Sequence, residues 1–130
     1  MLRLVLSLFL CTNTVMGMII PESKDCPANY REIMPQEFLH CAKLASEEKF
    51  NEAIAALKEK HIGKKYFKAD EICNDLVKTF ISSKEKYTLM KEELDPRFTV
   101  KDFIYEDLLR YFWWDHYYLV YEGLIKELYI

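Results

Sequence analysis

The sequence predicts an all-α fold, a small helical bundle of four or five helices preceded by an irregular N-terminal arm. Three observations carry that expectation. Only three glycines and four prolines punctuate 130 residues, too few turn formers for a chain of many short strands. Apolar residues recur at i, i+3 and i+4 through most of the chain. Residues suited to capping, Ser46, Asp70 and Thr99, stand where those runs begin.

Residues 1–17 read as a signal peptide that is cleaved after Gly17. Met1-Leu2-Arg3 is a short positive start, Leu4 to Cys11 is an apolar run, and Val15-Met16-Gly17 places small or β-branched residues at the usual cleavage positions. An uncleaved anchor reaching Ile20 is the alternative. Thr12-Asn13-Thr14 interrupts it, whereas a spanning helix needs about 20 nearly unbroken apolar residues. The chain is therefore expected to be secreted and extracellular, with no transmembrane segment once the signal is gone.

Residues 18–34, holding two prolines and Cys26, read as the irregular arm, and residues 35–130 as a single helical domain. Pro35 suits the first position of a helix through Gln36 to Ala45. Ser46-Glu47-Glu48 looks like the cap of a second run, in which Phe50, Ala53, Ile54 and Leu57 share a face. Gly63 is the natural stop. Whether residues 35–61 form one helix or two is open at this level. Asp70 opens a third segment whose apolar face runs through Ile72, Leu76, Phe80, Tyr87, Met90 and Leu94. Asp95-Pro96 closes it, since the residue before a proline avoids helical geometry. Thr99-Val100-Lys101-Asp102 opens the last segment as a near match to the capping box.

That last segment holds YFWWDHYYLVY, with seven aromatic residues and a histidine in positions 111 to 121. On a helical wheel Ile104, Tyr105, Leu108, Leu109 and Phe112 share one side. Beyond Trp113 the apolar side holds Trp114, Tyr117, Tyr118, Tyr121, Leu124, Ile125 and Leu128. The two faces point roughly 150° apart. Either the helix breaks at Trp113-Trp114, with Asp115 capping a helix that folds back, or it continues and buries its halves against different partners.

Charge and cysteines limit the function classes. Without Arg3 the mature chain has 17 basic and 21 acidic residues, a net charge of −4. An acidic domain is a poor nucleic-acid binder, because that affinity rests on neutralising phosphates. The local cluster Lys58, Lys60, Lys64, Lys65 and Lys68 reads as the end of a helix complementing its dipole, with a polyanion or membrane surface as the other reading. Cys26, Cys41 and Cys73 remain after cleavage. In an oxidising compartment two should pair, contributing roughly 3 kcal/mol. A break near Ser46 would bring Cys73 within about one helical turn of Cys41, so the expected disulfide is Cys41 with Cys73, leaving Cys26 spare. The arrangement of these three cysteines in a small helical chain is loosely similar to nematode secreted domains built on disulfide-linked helices. That likeness covers residues 26 to 90 at most, lacks the further cysteines expected there, and assigns no family.

No motif for catalysis, a cofactor or a metal is found. Glu37 and His40 have the Glu-x-x-His spacing, but a carboxylate-bridged metal pair wants a second copy, and Lys58 and Trp113 stand three before His61 and His116. His61 reads as complementing its helix dipole. Glu106 with Arg110 and Glu122 with Lys126 read as i, i+4 pairs. The function expected is non-catalytic protein–protein interaction with an extracellular protein or with a second copy, through the aromatic face of Trp114, Tyr117, Tyr118, Tyr121 and Leu124. The alternative is an extracellular carrier of a lipid or other apolar small molecule, with Phe112 and Trp113 lining an inter-helix cavity.

Overall fold

The computed structural model describes residues 25–129, with side chains through residue 126. Residues 1–24, which hold the expected signal peptide and the first part of the arm, lie outside the described residues; the rest of the arm is not wholly irregular, since Tyr30–Ile33 is helical. Six α-helices and no strand are present among those described. They are α1 (Tyr30–Ile33), α2 (Gln36–Ser46), α3 (Phe50–His61), α4 (Ala69–Met90), α5 (Val100–Asp115) and α6 (Tyr117–Tyr129), with a 3-10 turn at Lys91–Glu93 between α4 and α5.

Residues 35–61 form two helices. Ser46 is the last residue of α2 rather than the cap of α3, and its hydroxyl donates to the Lys43 carbonyl at 2.7 Å. The turn is closed by hydrogen bonds from Lys49 N–H to Leu44 O (2.9 Å) and from Glu48 N–H to Ala45 O (3.0 Å), a Schellman pattern. It places Glu48 at φ +65°, a left-handed position that usually belongs to glycine. The result is an α2–α3 hairpin, across which α4 and α5 pack.

α4 buries Ile72, Leu76 and Phe80, but its apolar stripe fails toward the C-terminus, where Met90 is exposed and Leu94 only half-buried. α5 begins with the capping box expected at Thr99: the Asp102 N–H donates to Thr99 Oγ1 at 3.2 Å, and the Thr99 N–H donates to Asp102 Oδ2 at 3.0 Å. It is the central helix, in contact with α2, α4 and α6. Burial therefore goes round most of it and includes Ile104, Leu108, Tyr111, Phe112 and Trp113. Phe38 of α2 meets Phe112 edge-on, with ring centroids 5.1 Å apart. Each such ring removed from water stabilises the fold by about 1.5–3 kcal/mol.

The change of face is resolved by a break. It falls at His116, two residues later than the wheel placed it. The His116 N–H donates to Phe112 O at 3.0 Å, and its carbonyl accepts from Leu119 (3.0 Å) and Val120 (3.2 Å), so one residue ends α5 and starts α6. Asp115, expected to cap α6, is instead the last residue of α5. α6 folds back so closely that a Cβ on Gly123 would stand 2.9 Å from Pro35 Cγ. Glycine is what lets α6 approach the start of α2.

Candidate functional site

The five aromatic-face residues do not share one exposed surface. Tyr117 is 8% exposed and Leu124 1%, and both belong to the core. Tyr121 is partly buried and stacks on Tyr117, with centroids 5.7 Å apart. Val120, fully buried, marks the centre of the inward face of α6. Only Trp114 (47%) and Tyr118 (66%) stand out in solvent. The physical reason is the break: turning α6 back points Tyr117 and Leu124 at the core that α5 already builds.

Tyr118 has a neighbour that the linear sequence does not suggest. Tyr66, 52% exposed in the α3–α4 connection, stacks on it at 5.1 Å with ring planes 22° apart. Lys65 Nζ lies 5.6 Å from the Tyr66 ring centroid. Lys64 meets Glu122 at 3.1 Å, and Lys126 meets the same carboxylate at 3.2 Å. Part of the basic cluster thus fastens the α3–α4 connection to α6, while Ile62 stands exposed in the same connection. Tyr66 was missed because stacking across 52 positions leaves no periodic trace.

Behind the break lies a polar network at the edge of the core. The Tyr111 hydroxyl is shared between Asp75 Oδ2 (3.0 Å) and His116 Nε2 (2.7 Å). Burial, then the Asp75 charge and its hydrogen bond, push the Tyr111 phenol far above its ordinary value, so it stays protonated and bridges α4 to the residue that ends α5. Cys41 is fully buried, Cys73 half-buried, and both are free thiols in the structure. Burial pushes the Cys41 thiol up to about 12, and the charge of nearby Cys73 adds to the rise.

Two other buried charges replace pairings expected from spacing. Glu37 does not act with His40, which is exposed, but accepts a hydrogen bond from His61 at 2.8 Å. His61 is 1% exposed and is flanked by the rings of Phe38 and Phe67, so it is a core residue rather than a free complement to the helix dipole. Glu106, buried, accepts from the Tyr30 hydroxyl and pairs with Arg31 at 3.1 Å, which fastens α1 to α5. Arg110 turns to Asp107 at 3.1 Å instead of to Glu106.

Two open grooves stand out among the described residues. One, by the α4–α5 connection, is lined by Leu94, Asp95, Arg97 and Phe98. The other, about 650 Å³, lies between α4 and α5 and has Trp114 in its wall. Among the described residues no group of three or more His, Cys, Asp or Glu is placed to hold a metal, and no helix is long and apolar enough to cross a membrane. Comparison of the chain with protein-family models, with curated proteins and with solved structures finds no match.

Proposed function

We propose that this chain is a secreted, non-catalytic binding protein that grips a partner protein through the stacked pair Tyr66 and Tyr118. The observation that carries the reading is the pairing itself. Two large rings, each more than half exposed, are held against one another on separate elements. Tyrosines of this kind supply rigid amphipathic contact area and are enriched among binding hot spots. The Lys64–Glu122–Lys126 ion pairs beside them hold the α3–α4 connection in register with α6, which lowers the entropy lost on binding. Secretion rests on the signal-like residues 1–17. The carrier alternative is less favoured, because Phe112 and Trp113 fill the centre of the bundle and both described grooves are open.

A photoreactive residue tests the site. The substitution Tyr118→benzoylphenylalanine should yield a discrete cross-linked complex, with a second copy or with one extracellular protein. That complex should be lost when Tyr66→Ala removes the stacking partner. The same probe at Lys101, exposed on α5, should yield none. Equal cross-linking at both positions, or none at Tyr118, would refute the assignment.

A further inference from the structure

The groove between α4 and α5 has the composition of a ligand site and is separate from the Tyr66–Tyr118 pair. α4 contributes Lys78, Thr79, Ser82, Ser83 and Lys86, a stripe at i, i+4 and i+8, and α5 contributes Asp107, Arg110 and Trp114 at i, i+3 and i+7. Its volume of about 650 Å³ falls within the roughly 300–1,000 Å³ of small-ligand sites.

Ser83 is the second observation. It is 1% exposed, yet its Oγ has no hydrogen-bond partner. A serine inside a helix ordinarily bonds back to the carbonyl four residues earlier, and a buried hydroxyl left unpaired is costly. Ser83 lies in the wall of the groove but is covered by its neighbours, so a ligand hydroxyl pairs with it once those side chains shift. Around it the chemistry is polar and directional. Asp107 is held between Lys86 (3.2 Å) and Arg110 (3.1 Å), which fixes that carboxylate and leaves further guanidinium and ammonium N–H groups to donate. Thr79 and Ser82 add hydroxyls. Trp114 is about half exposed and offers an indole, whose electron-rich face attracts the C–H groups of a saturated ring.

Hydroxyls, a fixed carboxylate and an aromatic plate together suit a sugar ring. An acyl chain would leave the same groups unpaired. The groove's three cations, Lys78, Lys86 and Arg110, exceed its two carboxylates, Asp107 and Asp115, and Lys78 makes no ion pair among the described residues. We propose that the α4–α5 groove binds an acidic saccharide: one ring stacks on Trp114, its hydroxyls pair with Ser83 and the Asp107–Arg110 couple, and its carboxylate or sulfate meets Lys78.

The test uses the full chain and two defined probes, hyaluronan tetrasaccharide, which carries uronate groups, and the neutral tetra-N-acetylchitotetraose. Titration followed by NMR should shift the Trp114 indole resonance with the acidic probe, which binds about tenfold or more tightly than the neutral one, a difference of about 1.4 kcal/mol. Trp114→Ala and Lys78→Glu should each weaken binding about tenfold with the melting temperature kept. Ser83→Ala should weaken binding while leaving the melting temperature equal or higher, because it removes an unpaired buried hydroxyl. Absence of any shift at millimolar probe, equal affinity for the two probes, or a Ser83→Ala variant that loses stability but binds normally would each overturn the proposal. None of these variants touches Tyr66 or Tyr118, so failure here is distinct from failure of the protein-binding reading.

Discussion

Glu37 illustrates how a single side chain comes to matter through what folding places beside it. Burial acts to raise its carboxyl, but the hydrogen bond and charge of His61 prevail and hold it below the ordinary 4.5. A carboxylate whose pKa is lower in the folded chain than in the unfolded one adds stability above the unfolded value, and that stability is lost as pH falls through the folded value. The native protein should therefore lose stability below about pH 4.5, by no more than about 1.4 kcal/mol per pH unit from this group. Glu37→Gln keeps the shape and removes the titration. Melting temperatures recorded from pH 7 to pH 3 should show a shallower acid slope for the variant than for the parent. Superimposable profiles would mean that Glu37 contributes nothing to acid sensitivity. Spacing alone pointed Glu37 at His40. Nothing local could point it at His61, 24 positions away, because that contact exists only once the α2–α3 hairpin has closed.

At the scale of the helix, the two tyrosines at the start of α6 separate fold from surface. Tyr117 and Tyr118 are adjacent in sequence and about 100° apart on the helix, one 8% and the other 66% exposed. Tyr117→Glu would bury a charge against Trp113 and Tyr121, a cost of several kcal/mol that is enough to unfold a small domain. Tyr118→Glu should cost no more than about 1.5 kcal/mol, the loss of one solvent-exposed ring stack. Circular dichroism melts of the two variants check this, and equal destabilisation would show that the inward face is placed wrongly. The sequence carried the helical periods, the Thr99 capping box and the need for a change of face near residue 114. It offered a helix that folds back as one of two outcomes and did not decide between them. In the structure the hydrogen bond of Tyr111 to His116 and the tight approach of Gly123 to Pro35 accompany the fold-back. Both act over distances at which periodicity is silent, so the face assigned to Tyr117 and Leu124 became core.

Across the whole molecule, the topology follows from one short turn. The Schellman closure at Glu47–Lys49 reverses the chain, so that α4, leaving the end of α3, returns alongside α2. That return places Cys73 close enough for its charge to act on the Cys41 thiol. The hairpin was one of two arrangements compatible with the sequence, because residues 35–61 contain no glycine or internal proline to force a break. Glu48 takes the left-handed position instead, which only the folded chain makes visible. Cys26 lies on the segment before α1, near Arg110 of α5, and burial raises its thiol as well. In an oxidising compartment the proximity of Cys41 and Cys73 should lead to a bridge, at the expense of the free thiols of the reduced form. Closing a loop of 31 intervening residues should stabilise the fold by roughly 3–4 kcal/mol, which for a domain of this size raises the melting temperature by about 10–25 °C. Peptide mapping of protein folded under oxidising conditions should find Cys41 joined to Cys73 and Cys26 open to alkylation. Cys73→Ser, at the half-buried partner, should bring the melting temperature down to about that of the reduced parent. A bridge involving Cys26 would refute this pairing, and a melting temperature indifferent to reductant would mean that the core alone carries the stability.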